Sequence, residues 1–530
     1  MAGGVAAALA LGMLALAGAV PANVDDLFIV LVYARHLVQH GAIYWNDGAA
    51  HVDGFTSVLD MLLKALSLVV APRDPLRNAH VLTVTFDATA IALGGWLAYR
   101  AARGRPARVL AFATVGALAA GANVALAQAA SYVLEVPLFA TAALTALYVA
   151  LFLRPGARWT GVVACAAWAL LGFARPEGIP LALGFAALHA VRARRTGGAR
   201  ALAPCAFFVG LLVAYHAWHF TYFGYLAPNT FYAKASDSRW NELVDGLRYM
   251  ADYATTPARA TTVALLVLAP AAAFVKPIWA SAVARRRFAI ASASALVLAL
   301  EVVVAGGDSY PGGRFVATPI ALLLAALAIG AAGLARGWSA LAVVPLALFA
   351  LDGGSRASGH AAAKLARIGT WPLSVKDFGC ELQVADFIAA RVDTVSQTDF
   401  QRLKYFEDRL VVIDLTGLND QARAHEPSPG HDLWGKGGAA EGPGVGAEAM
   451  QLGIRSATRE PMARYTSRDL VSRADLSSAF IGPPLPPAAQ DGLVRDYVPV
   501  SIPVCGVFFN LFVRGDRVDR FASGGALVGQ

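Results

Sequence analysis

Two adjacent carboxylates, Asp25 and Asp26, follow directly on the first apolar stretch of the chain, residues 5–22. A carboxylate held in place can act as a general base toward a hydroxyl group. One of the pair could instead cap the following helix, but capping requires only one carboxylate, and two like charges side by side repel each other. We therefore predict a catalytic role for at least one of them. Asp26 is the first choice, because a helix that begins at Leu27 would hold it more rigidly.

Three cationic side chains, Arg175, Lys234 and Arg314, lie in short polar segments further along the chain. Arg314 ends the segment GGDSYPGGR, whose glycines allow a ligand close to the backbone and whose guanidinium offers a planar fork of donors suited to phosphate. An arginine there could also extend to the membrane surface. Lys234 stands among aromatic residues typical of a membrane interface, and Arg175 lies in the turn FARPEG, where Pro and Gly alone suffice for turning. We predict that all three bind a substrate phosphate.

Other polar residues of these segments and of the C-terminal region complete the candidate site. They are Glu135, Glu177, Asn229, Asp308 and His431. Glu135 stands at the edge of an apolar stretch, where a carboxylate is costly unless it is paired or hydrated. A charge at a helix entry in the headgroup zone would explain it equally well.

Two histidine pairs have spacings known from metal ligands: His36 with His40, and His216 with His219. Neither pair has a third ligand nearby in the sequence, so we interpret these residues as polar positions on helix faces and predict no metal site. The sequence leaves the cofactor open. A divalent cation is compatible with the chemistry, but no residue pattern indicates one.

The composition is that of a membrane protein. Of 530 residues 57% are apolar and 15% charged, with a mean hydropathy of +0.54, which no soluble protein of this length requires. Apolar runs recur at residues 79–99, 109–126, 136–153, 159–173, 178–191, 201–221, 260–275, 287–305, 315–335 and 338–351. With residues 5–22 they predict about eleven transmembrane helices. Residues 5–22 could also be a signal peptide, although no basic segment precedes them.

The basic loops predict the orientation in the membrane. They contain Arg100, Arg103, Arg105 and Arg108; Arg154 and Arg158; Arg192, Arg194, Arg195 and Arg200; Lys276 and residues 285–287; and Arg336. Counting helices puts all of them on one side, which the positive-inside rule makes cytoplasmic, so the polar motifs and the C-terminus face outward. Residues 1–351 carry 25 Lys and Arg against 15 Asp and Glu, and the remainder carries 19 against 21. The pI of 9.4 therefore reflects anchoring loops and not nucleic-acid binding.

Two regions differ from the apolar spans. Residues 27–38 and 56–66 have helical apolar stripes that are too short to span a membrane, so we predict interfacial helices within a first outward loop, 23–78. From residue 352 the chain is polar and rich in Gly and Pro, with a helix predicted at 380–392 and strands at 410–415 and 498–513. We predict a transmembrane domain, 1–351, and an extracytoplasmic soluble α/β domain, 352–530. Cys380 and Cys505 are compatible with a disulfide there.

Several segments together resemble one enzyme family. The stretch DDLFIVLVYARHLVQHGAIYWNDGAAHVDGFTSVLDMLL looks like the first outward loop of GT-C-type glycosyltransferases that use polyprenyl-phosphosugars, in particular terminal arabinofuranosyltransferases (AftB-like) and their bacterial relatives. SYVLEVP, FARPEG, YFGYLAPNTFYAKA, GGDSYPGGRF and VVIDLTGLNDQARAHEPSPGHD match in the same order. The resemblance implies that Asp25 or Asp26 is the catalytic base. The chain departs from these relatives at Val58-Leu59-Asp60 and in GHDLW, so the sugar stays open.

The function expected from this resemblance is transfer of a sugar, such as arabinofuranose or another pentose, from a polyprenyl phosphate to a hydroxyl of an envelope glycan or glycolipid at the bacterial inner membrane. One competing class is a transporter or flippase, in which intramembrane charges would mark a permeation path. A third class is a non-catalytic scaffold for envelope assembly that uses the soluble domain. Because the charges gather in outward loops while the spans are nearly charge-free, the sequence favours the transferase.

Overall fold

The computed structural model describes residues 26–102, 114, 126, 129–130, 132–154, 159–196, 202–235, 238–308, 313–334, 378–391, 393–397, 401–414, 416–425, 463–464, 497–504, 507–514 and 519. Several predictions fall outside them. These concern Asp25, His431, the spans at 5–22, 109–126 and 338–351, and the side chains of Cys380 and Cys505.

The described part of residues 26–334 is helical. Its helices are α1 (Asp26–His40), α2 (Val58–Val70), α3 (Pro75–Ala101), α4 (Val136–Phe152), α5 (Thr160–Ala174), α6 (Gly178–Thr196), α7 (Ala203–Phe223), α8 (Asn229–Lys234), α9 (Arg239–Tyr253), α10 (Pro257–Ala272), α11 (Ala282–Val304) and α12 (Ala317–Gly333), with 3-10 turns at Lys276–Ile278 and Arg314–Val316. Both short helices predicted for the first outward loop are therefore present, as α1 and α2.

Four of the described helices are long and apolar enough to cross a membrane: α3, α7, α11 and the continuous stretch Arg314–Gly333. The helices α4, α5 and α10 are apolar but shorter. Every predicted span within the described residues overlaps a helix. The total of about eleven transmembrane helices remains a prediction.

Helix α12 lies at the centre of the main hydrophobic core. It is apolar on all sides, and its residues from Ala317 to Gly330 are all buried, so it has no face for solvent. Helices α11, α3 and α4 pack around it, and α5 and α6 pack against α4.

A second core joins the first outward loop to the C-terminal region. Residues of α1 and of the segment that follows it, including Ile29, Trp45 and Phe55, share this core with Val384 and Val412. The C-terminal elements are α13 (Gly379–Ala389), β1 (Thr394–Gln397), α14 (Arg402–Phe406), β2 (Val411–Asp414), α15 (Gln421–Ala424), β3 (Ala463–Arg464), β4 (Tyr497–Val504) and β5 (Val507–Arg514). The first part of the predicted α/β domain thus packs directly against the loop that carries Asp26.

The five described strands form one mixed sheet in the order β2-β1-β3-β5-β4. Strand β1 is parallel to β2 and β3, and β4 and β5 form an antiparallel hairpin that continues through β3. The structure confirms the helix predicted at 380–392 and the strand predicted at 410–415. The region predicted as one strand at 498–513 consists of two strands, β4 and β5. The boundary at residue 352 and the independence of the domain remain predictions.

The segment between α7 and α10 contains two helices, α8 and α9. Ser238 accepts a hydrogen bond from the backbone N–H of Asn241 and so begins α9, whose apolar positions recur with helical spacing. At Gly246 a Cβ atom would lie 2.0 Å from the carbonyl oxygen of Val303, so only glycine allows α9 this close to the end of α11.

Basic residues from the ends of three other helices, α3, α6 and α11, converge at the C-terminal end of α4. The guanidinium groups of Arg287 and Arg100 lie 4.6 and 5.9 Å from the ring centroid of Phe152. Arg192 donates a hydrogen bond to the carbonyl oxygen of Ala150 in the last turn of the same helix. The tertiary structure therefore puts these three arginines at one end of the helices, as the charge pattern predicts.

We expect this basic end to face the cytoplasm. Alkaline phosphatase fused after Gly353 should then be active, because the enzyme folds only outside the cytoplasm, whereas a fusion after Arg195 should be inactive. Expression of both fusions, measured by immunoblot, is the control. The reverse pattern of activities would refute the orientation and with it the outward position of Asp26.

Candidate functional site

Glu135 lies at the N-cap position of α4, at the end of this helix opposite to the three arginines. Its side chain makes no capping hydrogen bond. Its carboxylate instead accepts a hydrogen bond from Nη1 of Arg175, 40 residues later in the chain. The same guanidinium binds Glu177 through Nε and Nη2, at 3.2 and 2.8 Å. Glu135 is therefore paired, and Arg175, 6% exposed, is held between two carboxylates.

The turn FARPEG positions Arg175 through its glycine. The N–H of Gly178 donates to the carbonyl oxygen of Arg175 at 2.9 Å, which closes the turn between α5 and α6. A Cβ atom at Gly178 would lie 2.1 Å from the carbonyl oxygen of Leu171, so no other residue fits there without a shift of the backbone. This close approach fixes the guanidinium beside the start of α4.

Arg314 joins the segment GGDSYPGGR to the beginning of α1. Its guanidinium binds Asp308 through Nε and Nη2, at 2.5 and 3.0 Å, and binds Oδ2 of Asp26 through Nη1 at 3.1 Å. Gly307 and Gly313 have positive φ angles of 84° and 77°, which glycine adopts without strain, and they bend the chain on either side of this contact. The arginine does not extend to the membrane surface: it is 7% exposed and bridges two carboxylates.

The two arginines flank one aromatic ring. The guanidinium carbons of Arg175 and Arg314 lie 4.7 and 5.3 Å from the ring centroid of Phe315. Burial acts to raise the pKa of Glu135, but the charges of Arg175 and Arg314 outweigh it and lower this pKa. The predicted site residues thus form two ion-pair groups on the same aromatic ring, Glu135-Arg175-Glu177 and Asp26-Arg314-Asp308, from distant parts of the sequence. We call these two groups together the ionic cluster below.

Lys234 lies beside the ionic cluster at the end of α8, but it is not part of an ion pair. Its ammonium makes no hydrogen bond or ion pair with any described residue, and the side chain is partly buried. Burial is the main cause that lowers the pKa of Lys234, and the positive charge of Arg314 adds to it, while Asp26 and Asp308 oppose the shift. A negatively charged ligand would remove this penalty.

A cavity of about 400 Å³ opens between the ionic cluster and α8. Its polar lining includes Arg175, Glu177, Lys234, Glu301 and Asp308, and its apolar lining includes Pro176, Phe231 and Phe315. Asp26 is not among the described lining residues. It is joined to the lining residue Asp308 by Arg314, which binds both carboxylates. Its side chain is 32% exposed and thus accessible to a substrate.

Asn229 is not brought into the cavity. Its side chain donates to the carbonyl oxygens of Gly417 and Leu418 at 2.7 and 3.0 Å, and its backbone N–H donates to Asp53 at 3.0 Å. Asp53 in turn is 2.7 Å from Nε2 of His219. These contacts hold the start of α8, so that Asn229 supports the position of Lys234 at the other end of that helix.

Two of the four paired histidines bind carboxylates of distant segments. Nε2 of His36 lies 2.9 Å from Asp408, and Nδ1 lies 2.8 Å from the carbonyl oxygen of Tyr44, so this residue ties α1 to the C-terminal region. His219 binds Asp53, as described above. In the part of the chain that the structure describes, no three His, Cys, Asp or Glu side chains are grouped to hold a metal ion.

Several buried charges are absent from the candidates predicted from the sequence. Lys64 binds Asp60 at 2.5 Å and the carbonyl oxygen of Val133 at 3.1 Å, two residues before Glu135. The spacing of Asp60 and Lys64, one helical turn apart, was the available signal. Asp87 in α3 and Glu301 in α11 contradict the description of the spans as nearly charge-free. They escaped notice because one carboxyl group hardly changes the mean hydropathy of a long apolar run.

The described residues thus define a helical protein with membrane-length helices, an ionic cluster and a cavity at one end, and a gathering of arginines at the other. No protein-family model and no curated protein matches the chain. Among solved structures, the chain is similar to the crystal structure of ArnT from Cupriavidus metallidurans bound to undecaprenyl phosphate, with 15% sequence identity and a TM-score of 0.48. The match covers 79% of this chain and 87% of that one.

Proposed function

We propose that the chain is a membrane glycosyltransferase that moves a sugar from a polyprenyl-phosphate donor to a hydroxyl group of an envelope glycan or glycolipid. The observation that carries the proposal is Lys234, an ammonium without an ion-pair partner in the described residues, lining a cavity beside a carboxylate–arginine cluster. The proposed sugar is a pentose such as arabinofuranose, the sugar transferred by the family that the sequence resembles. The reaction takes place at the outer face of a bacterial inner membrane, and residues 352–530 lie on the same side.

The proposed reaction requires one base and a positive environment for the leaving group. The acceptor oxygen forms a bond to the anomeric carbon, the bond from that carbon to the phosphate oxygen breaks, and the leaving lipid phosphate takes the electron pair. The acceptor proton goes to the carboxylate of Asp26, a step typically worth about 10²–10⁴-fold in rate. Asp26 is suited to this role, since it is rigidly held by Arg314 but remains partly exposed.

The cations divide the remaining work. Lys234 carries the main role in binding the donor phosphate, because Arg175 and Arg314 already neutralise carboxylates of the ionic cluster. Both arginines add positive potential at the place where negative charge develops on the leaving phosphate. Arg314 has a second role, which is to orient Asp26.

Replacing Lys234 with methionine should raise the donor KM at least about 10-fold, because it removes a charge-assisted hydrogen bond to the phosphate. Membranes with a radiolabelled polyprenyl-phosphoryl pentose provide the assay, and Lys276→Met, which changes an exposed lysine in a different loop, is the control. Lys234→Arg should restore much of the affinity. An unchanged donor KM in Lys234→Met would assign the donor phosphate to another site.

The depressed pKa of Lys234 predicts a pH dependence with a definite sign. The protonated amine binds the phosphate, so donor affinity is complete at low pH and falls as the pH rises through the pKa of Lys234. Because burial lowers this pKa, the fall begins below the ordinary lysine range. The Lys234→Arg variant keeps its charge throughout and should show no such fall.

Transport of a lipid-linked envelope precursor is the second candidate function. The observation that favours it is Asp87, which is 1% exposed within α3 and whose two carboxylate oxygens have no hydrogen-bond partner in the described part of the chain. Proteoliposomes with a labelled lipid precursor distinguish the two functions. Movement of the lipid between leaflets without transfer of its sugar would favour the transporter.

A further inference from the structure

Two polar groups that line the cavity beside the ionic cluster have no partner among the described residues, and they have opposite chemistry. One is the ammonium of Lys234. The other is Glu301, whose Oε2 atom is buried and has no hydrogen-bond partner in the described residues. The remaining charges described in the lining are paired: Arg175 with Glu177, Arg239 with Glu242, and Asp308 with Arg314.

A carboxyl group at the position of Glu301 is costly for the fold. It lies in the last turn of α11, where the helix dipole disfavours negative charge, and within a helix of membrane length. An unpartnered buried polar atom adds a further cost. A ligand that donates hydrogen bonds to the carboxyl group would remove these costs, as an anion would remove the corresponding cost at Lys234.

We infer that Glu301 accepts hydrogen bonds from hydroxyl groups of the transferred sugar, and that the cavity holds the phosphosugar part of the donor. A ligand that satisfies both groups at once carries an anion at one end and hydroxyl donors at the other, as a sugar linked to a phosphate does. A volume of about 400 Å³ is in the range of small-molecule sites and is sufficient for one sugar with its phosphate. Phe315 and Phe231 contribute apolar walls for the ring faces.

This inference rests on the proposed function, and a binding experiment separates the two. The full-length protein in detergent is titrated with a polyprenyl-phosphoryl pentose and with the bare polyprenyl phosphate of the same chain length. The wild-type protein should bind the sugar-bearing lipid about 10- to 100-fold more tightly, the range expected for hydrogen bonds to a carboxylate. Glu301→Ala should abolish this difference and leave the affinity for the bare lipid unchanged.

Two further variants separate sugar recognition from a structural role. Glu301→Gln keeps the size and an accepting oxygen and should retain part of the preference for the sugar-bearing lipid. Asp245→Asn, which changes a carboxylate paired with Arg248 on α9, should behave as wild type. Equal loss of affinity for both lipids in Glu301→Ala, or no change in either, would overturn the inference, as would a wild-type protein that does not distinguish the lipids.

The transfer assay then reports on the proposed function independently. If Glu301→Ala abolishes the preference but the wild-type protein transfers no sugar to any acceptor, sugar recognition stands and the transferase assignment fails. If the wild-type protein transfers sugar and Glu301→Ala binds both lipids as the wild type does, the assignment stands and the role of Glu301 is wrong.

Discussion

Replacing Asp26 with asparagine should lower the transfer rate at least about 100-fold while the protein stays folded and membrane-inserted. An amide cannot take up the proton of the acceptor hydroxyl, although it fills the same space and can still accept a hydrogen bond from Arg314. The effect should appear in kcat, because the base acts in the transition state and not in binding of the donor. The measurement is single-turnover transfer from a radiolabelled polyprenyl-phosphoryl pentose.

Two comparisons make this prediction specific. Asp47→Asn changes an exposed carboxylate of the same outward loop and should leave the rate unchanged. Asp25→Asn and the double variant test the neighbour, which the structure does not describe. Wild-type transfer rates in both single variants and in the double variant would mean that the pair has only a capping role, and the base would have to be sought elsewhere.

Replacing Arg314 with lysine should lower the transfer rate about 100-fold even though the charge is kept. The guanidinium binds Asp308 through two nitrogens and Asp26 through a third, and a single ammonium cannot reproduce this planar arrangement. Asp26 would then lose its fixed position relative to the cavity. A misplacement of a catalytic group by 1 Å is sufficient for a loss of this order.

The control for this variant is Arg248→Lys, which changes an exposed arginine in an ion pair on α9. A double-mutant cycle with Asp308→Asn identifies the mechanism: if Arg314 acts through the contact with Asp308, the two changes together should cost less than the sum of their separate effects. Unchanged kcat and donor KM in Arg314→Lys, with an unchanged unfolding temperature, would show that the bridge does not support catalysis.

The sequence by itself determined the helices and the candidate charges. Helices α1, α3 and α11 lie close to their predicted positions. They could be predicted because the length of an apolar run and the spacing of an apolar stripe are local properties of the sequence. The one-sided arginines predicted that Arg100, Arg192 and Arg287 lie together. Asp26, Arg175 and Arg314 were likewise indicated by the sequence. They are charged residues in short polar segments, and a turn alone rarely requires a charged residue.

Only the tertiary structure decided how these charges are paired. The contact of Asp26 with Arg314 joins residues 288 positions apart, and no local pattern carries that information. The same is true of Lys234, which differs from Arg175 and Arg314 in that no described carboxylate forms an ion pair with it. Asn229 changed from a site candidate to a support of α8, because packing turns its side chain toward Gly417. Glu301 was recognised as a candidate only from the cavity that it lines. Hydropathy is an average over a whole helix, whereas burial and hydrogen bonding are properties of single atoms in the folded chain.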